Sequence, residues 1–245
     1  MTAWLYIAKF SVYADAMHRF MLLVGMGMGL LATPGCADGP SLPLALVAAR
    51  NAVATVRQLL GEGQPPDERG PDGLTALMWA ARTGAVDAMA ALLTAGADPN
   101  ARDARFGWTP LLHAIHKQHI AAVRLLLERG ADPNARTPAF TPLIMAAAER
   151  DPAFVTLLLE HGADPRARGN GGATALSQAV SGGALSDIDR PLVGGCRTET
   201  VRVLKRHDPT IEMPDTIAGW HARWWAKFHG CQEALKMVEP PGSKG

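Results

Sequence analysis

The sequence predicts an all-α repeat solenoid, on three observations. A Thr-Pro/Ala-Leu opening or a close variant returns at Thr75, Thr109, Thr141 and Thr174, spaced by 34, 32 and 33 residues. A closing motif returns in step with it, as Gly96-Ala-Asp-Pro-Asn100, Gly130-Ala-Asp-Pro-Asn134 and Gly162-Ala-Asp-Pro-Arg166. Between opening and closing lie two short apolar runs at helical spacing. One such unit cannot bury both apolar faces alone, so the units must stack on one another.

Each part of the unit has a local cause. The openings read Gly73-Leu-Thr-Ala-Leu-Met-Trp-Ala-Ala81, Gly107-Trp-Thr-Pro-Leu-Leu-His-Ala-Ile115, Thr141-Pro-Leu-Ile-Met-Ala-Ala147 and Thr174-Ala-Leu-Ser-Gln-Ala179. A threonine at a helix start accepts hydrogen bonds from the free backbone N–H groups. Pro110 and Pro142 then fall at the first helical position, where a missing N–H costs nothing. Second helices are predicted through 88–93, 123–127 and 154–159, each with an apolar face. Gly96, Gly130 and Gly162 end them in a left-handed conformation, and Asp-Pro turns the chain into an extended finger. The end units are degenerate. Residues 42–72 hold Leu44-Ala-Leu-Val-Ala-Ala49 and Val56-Arg-Gln-Leu-Leu60 but no opening Thr, and Gly61-Glu-Gly63 only echoes the closing motif. Residues 220–230 and 231–238 read as a last helix pair. The predicted units are 42–72, 73–106, 107–139, 140–170, 171–213 and 214–238, four clear and two capping.

This opening and this period resemble the ankyrin repeat, a β-turn followed by two helices, over about residues 42–238. The resemblance implies a noncatalytic protein–protein interaction module whose fingers and inner helices line a concave partner-binding surface. One departure concerns the family's Thr-Pro-Leu-His tetrapeptide. Met78, Leu112, Ile144 and Ser177 fill the His place, which is expected to remove the family's side-chain hydrogen bond from all four clear units.

Residues 1–41 are of another kind. His18 and Arg19 precede an apolar run, Phe20–Leu31, and small residues follow in Ala32-Thr-Pro-Gly-Cys-Ala37. That order is the plan of a secretory signal peptide. The run is shorter than the ~20 residues of a membrane-spanning helix. A bacterial-type signal peptide is therefore expected at 1–37 and a linker at 38–41, with Met1, Met17 or Met21 as the initiator. Cleavage after Ala37 gives a soluble periplasmic or secreted protein; acylation of Cys36 gives a lipid-anchored one, although Thr33 and Pro34 are atypical before an acylated cysteine. Without a working signal the chain stays cytoplasmic. Residues 239–245 are expected to be a disordered tail.

Composition removes several function classes. Lysine and arginine number 24 against 23 acidic residues, so no global basic bias points to nucleic acid. Three cysteines without a Cys-x-x-Cys pair argue against structural zinc and thioredoxin-like chemistry. No nucleophile–base–acid pattern or phosphate-cradling glycine motif occurs, and no cofactor is implied. A competing reading, a metal-binding or enzymatic protein, rests on two clusters. His113, His116 and His119 share the spacing of one helical edge, but His113 falls on the buried inner-helix pattern and His119 in a turn. Trp220, Trp224, Trp225 and Phe228 form either an aromatic binding surface or, as the sequence favours, the hydrophobic plug of the last cap. Asp187, Asp189 and Asp208 lack the glycine and glutamate of a calcium loop. Cys196 and Cys231 occupy equivalent positions in adjacent units. Stacked helices lie ~8–10 Å apart and a disulfide needs α-carbons within about 7 Å, so the spacing argues against a bridge unless an insertion shifts one helix.

Two features carry specificity. The finger tips hold Arg69, Arg102, Arg105, Arg136, Arg166 and Arg168, with Phe106, Trp108 and Phe140 beside them. Equivalent tips align along one edge, so a positive stripe is expected, diluted by Asp67, Glu68, Asp72 and Asp103. Arginine beside aromatics is the composition of interface hot spots. The expected partner is another protein with an acidic face, bound by a monomer, with a membrane reached only through a lipid at Cys36. The second feature is an insertion. Thr75 to Leu92 spans 17 residues and Thr174 to Val203 spans 29. The extra chain, near 184–193, lies between glycine pairs and is a second contact candidate.

Overall fold

The computed structural model describes residues 44–149, 151–182 and 195–239. The predicted signal peptide with Cys36, the insertion at 184–193 and all but the first residue of the tail lie outside the described residues. Among the described residues six helix pairs follow one another: α1 (Leu44–Ala49) with α2 (Val53–Gly61), α3 (Ala76–Thr83) with α4 (Val86–Thr94), and α5 (Pro110–His116) with α6 (Ile120–Glu128). Then come α7 (Pro142–Ala148) with α8 (Ala153–Glu160), α9 (Ala175–Ser181) with α10 (Thr198–His207), and α11 (Ile217–Phe228) with α12 (Gln232–Val238). The odd-numbered helices pack in one row of nearest neighbours and the even-numbered helices in a second. The described part of the chain is thus an all-α repeat solenoid. Its one extended pairing among the described residues is the Arg69–Thr75 bridge at a finger.

The first row begins where the threonines cap it. Their hydroxyls accept from the backbone N–H of Met78 (3.3 Å), Leu112 (3.5 Å), Ile144 (3.4 Å) and Ser177 (3.2 Å). Thr216 does the same for α11 through Gly219 N–H at 3.4 Å. The last unit therefore opens like the others, although Ile217-Ala218 hides the motif in the sequence. The expected loss of the hydrogen bond at the His place is corrected in two units, since Met78 Sδ accepts from Thr75 N–H at 3.5 Å and Ser177 bonds its own cap. Ser177 Oγ accepts from Thr174 N–H at 2.9 Å and donates back to the Thr174 carbonyl at 2.9 Å. A serine is short enough to reach its own cap, which Leu112 and Ile144 have no polar atom to do.

Between the rows runs a continuous core in which Leu77, Leu92, Leu111, Leu126, Leu158 and Leu176 are fully buried. Gly96, Gly130 and Gly162 follow the second-row helices with φ of 91°, 86° and 85°. Only glycine takes that conformation cheaply, which is why the closing motif starts with it. An aspartate then closes the turn. Its Oδ1 accepts the N–H two residues on, at Asn100, Asn134 and Arg166 (2.8 Å each) and at Thr210 (3.0 Å). Asp208-Pro209-Thr210 is thus the closing motif of the fifth unit.

Two expectations about the C-terminal end are overturned. Cys196 and Cys231 are joined by a disulfide, with α-carbons 5.9 Å apart. Both lie in the turns just before α10 and α12, so the distance between helix bodies does not govern them. The last cap is also not plugged by aromatics. α11 buries Ala218, Gly219, Ala222 and Ala226, while Trp220, Trp224 and Phe228 are exposed and Trp225 is half-buried. A Cβ on Gly219 would sit 1.8 Å from the Pro214 carbonyl oxygen, so only glycine lets the segment before α11 fold back onto its first turn.

Candidate partner-binding surface

Consecutive fingers are tied by side chains that satisfy backbone groups. Asn100 donates to the Gly130 carbonyl (3.1 Å) and accepts from Asp132 N–H (2.7 Å). Asn134 repeats this one unit on, with the Gly162 carbonyl (2.9 Å) and Asp164 N–H (2.8 Å). Two of the predicted stripe arginines run beside them. Arg102 donates to the Arg136 carbonyl at 2.7 Å and to Gly107 at 3.1 Å; Arg136 donates to the Arg168 carbonyl at 2.7 Å. Arg69 turns back onto the Gly73 carbonyl at 2.8 Å. Arg166 stands in the asparagine place and reaches Asp208 (Nε to Oδ2, 2.8 Å) and the Thr210 hydroxyl. The Thr210 hydroxyl and the Arg166 guanidinium hold the Asp208 carboxyl below its ordinary value. All six arginines are exposed, but the guanidiniums of Arg102, Arg136 and Arg166 also clasp the next finger.

The aromatic residues converge on Trp108. Its ring centroid lies 5.6 Å from Phe106, 6.0 Å from Phe140, 5.3 Å from His113 and 5.2 Å from His116. Phe106 is half out in solvent, and the Arg105 guanidinium lies 4.8 Å above its ring. The fingers supply Phe106, Trp108 and Phe140, and α5 supplies the two imidazoles. The structure therefore brings Arg105, Phe106, Trp108 and Phe140 into one cluster, with Arg168 exposed further along the same finger row.

A buried pair positions this cluster. Asp103 was expected among the exposed acids; it is instead only 5% exposed. Its Oδ1 accepts from the N–H groups of Arg105 (3.0 Å) and Phe106 (2.6 Å), which shapes the tip. Its Oδ2 lies 3.0 Å from His113 Nε2. A carboxylate only accepts, so the imidazole proton belongs on Nε2. Burial, reinforced by the nearby Arg82 charge, pushes the His113 pKa down to about 4 against the opposing pull of Asp103. His113 is neutral at pH 7, and its buried Nδ1 has no hydrogen-bond partner. His116 meets the Trp108 edge, and His119 Nε2 lies 3.1 Å from the Arg82 carbonyl. His113 and His116 both border Trp108, and no group of metal-ligating side chains forms among the described residues.

Sequence reasoning missed a second aromatic on the same face. Trp79, on α3, stands four residues after its capping threonine, as His113 does on α5. Its Nε1 donates to Asp72 Oδ2 at 2.7 Å, and the Arg82 guanidinium lies 5.3 Å above its ring. The shared register with His113 was the available signal. Arg197, also unflagged, holds the base of the insertion, donating to the carbonyls of Ala148, Gly182 and Gly195 at 3.2–3.3 Å.

Comparison with known proteins agrees with the repeat. The family model for ankyrin repeats in three copies matches residues 44–137, and that for a single ankyrin repeat matches residues 140–170. Together they take in just over half of the 245 residues. Among curated proteins, no sequence matches.

Proposed function

Because the chain belongs to the ankyrin repeat family, whose repeats generally mediate protein–protein interaction, we propose that it is a noncatalytic adaptor in an exported compartment. It grips an acidic protein face through the fingers and first-row helices around Trp108. One observation carries this reading: Arg105, Phe106, Trp108 and Phe140 form one partly exposed cluster on a tip shaped by the buried Asp103–His113 pair. Aromatics and arginine in a rigid setting anchor interfaces at low entropic cost. Export has two supports, the signal-like order of residues 18–37 and the Cys196–Cys231 bridge. Disulfides persist in oxidising compartments and are rare in the cytosol. The soluble form and the form lipid-anchored at Cys36 both fit, and no helix among the described residues is long and apolar enough to cross a membrane.

The test is affinity capture with mature protein recovered from its own host and sequenced at its N-terminus. Arg102 and Arg136 are poor targets because they also hold the fingers together. Arg105→Glu, Phe106→Ser and Arg168→Glu together leave those clasps intact. The variant is expected to lose at least roughly a hundredfold in affinity for the captured partner, given ~1–2 kcal/mol for each of the three anchors. Unchanged capture refutes the surface, and an unprocessed, unlipidated N-terminus refutes export.

A further inference from the structure

The last first-row helix carries a face that the protein-binding reading leaves unused. In α11, Ile217, Trp220, Trp224 and Phe228 are 74%, 62%, 50% and 72% exposed. At 100° per residue they fall within an arc of about 80°. The opposite side, Ala218, Gly219, Ala222 and Ala226, is buried against the stack. In every earlier unit the next first-row helix packs on its predecessor; α11 has no successor among the described residues. A terminal unit is expected to turn a polar side to water. Here the outward side is aromatic, with the Trp224 and Phe228 rings stacked at 5.5 Å.

The charges say what covers it. Arg223 and Lys227 run along one edge of the stripe and His221 borders the other, and α11 contains no carboxylate; Asp215 precedes the helix. We propose that this face docks on an anionic membrane surface. A second copy fits poorly. A two-fold contact through α11 sets Arg223 and Lys227 against a partner helix that itself holds no carboxylate, with only Asp215 ahead of it. At these exposures the stripe offers roughly 500 Å², short of the ~800 Å² per partner that stable protein interfaces bury. A bilayer sets no such minimum. Tryptophan and phenylalanine settle at the headgroup boundary, and lysine and arginine beside them meet anionic headgroups. The helix lies in the interface plane; it does not span the membrane.

The test is co-sedimentation of the full chain with vesicles of phosphatidylcholine mixed with phosphatidylglycerol, and with vesicles of phosphatidylcholine alone. Trp220→Ser, Trp224→Ser and Phe228→Ser together are expected to lower partition to the anionic vesicles at least tenfold. Arg223→Gln with Lys227→Gln is expected to lower it roughly tenfold on the anionic vesicles and little on the neutral ones. Parent and variants carry the same N-terminal segment, so only the difference between them reports this face. Circular dichroism melts establish that the variants fold. Equal partition of parent and triple variant overturns the proposal, as does no partition at all. A concentration-dependent dimer that the triple variant abolishes, without vesicle binding, assigns the face to a second copy and also overturns it.

Discussion

Between the second and third closing turns, Asn100 joins one finger to the next by one donated and one accepted hydrogen bond, and Asn134 does the same between the third and fourth. Between the fourth and fifth, Arg166 takes the asparagine's place and uses an ion pair with Asp208. Beyond it, Arg202 lies between Glu199 and Glu233, tying α10 to α12, and the Cys196–Cys231 bridge joins the turns before those helices. The middle of the stack is thus held by asparagine and arginine side chains that satisfy backbone groups, with no carboxylate among the described residues paired to those arginines. Its C-terminal end is held by charge and a covalent link. The middle should be indifferent to salt and redox state, and the end should answer to both.

The largest expected effect is on the covalent link. The bridge closes a loop across a sequence separation of 35. On the chain-entropy account such a closure stabilises by about 4 kcal/mol. In a one-dimensional stack the end unit can detach alone. A thiol reductant is therefore expected to produce an early thermal transition by circular dichroism, sized to α10–α12, while the middle melts as before. Cys196→Ser with Cys231→Ser reproduces that transition and removes the sensitivity to reductant. One unchanged transition in reductant would falsify the staple.

The next effect tests whether the middle is as indifferent as it looks. His113 is buried with its pKa near 4, against 6.5 for an ordinary histidine. Its folded pKa is lowered, so the unfolded chain takes up a proton first as pH falls. Stability is full above about pH 6.5 and declines toward pH 4, by up to roughly 3 kcal/mol. His113→Gln keeps a donor for Asp103 but cannot titrate in this range. Urea unfolding of the parent should weaken across that window more than that of the variant. Parallel pH profiles would show that protonation of His113 is not what the middle resists.

Legibility in the sequence followed the range of the interaction. Threonine caps, N1 prolines and closing glycines act on backbone groups within four residues, so spacing alone located them. Thr216 escaped because Ile217-Ala218 follows it, although its hydroxyl performs the same bond. Partners beyond one unit were not legible. Nothing near Asp103 announces that it turns inward to His113, and nothing near Arg102 that its guanidinium ends on the carbonyl of Arg136. The disulfide was misjudged because the turns approach more closely than the helices they precede. The aromatic helix was misjudged because composition cannot say which face of α11 the alanines claim.

The smallest effect separates the two kinds of finger link directly. Asn134→Ala removes one donor and one acceptor between neighbouring turns, a loss of about 1–2 kcal/mol that added salt should leave unchanged. Arg166→Ala removes a pair whose arginine side chain is 58% exposed, so water and ions already weaken it. Its effect should be smaller than that of Asn134→Ala and should vanish at high salt. Acid should erase it too. The Asp208 carboxyl is held below its ordinary value, so the pair contributes at neutral pH and is lost as pH falls through that lowered value. Urea midpoints of both variants, at low and high salt, decide the matter. If Asn134→Ala proves as salt-sensitive as Arg166→Ala, the middle and the end are held alike, and the C-terminal end differs from the middle only by its disulfide.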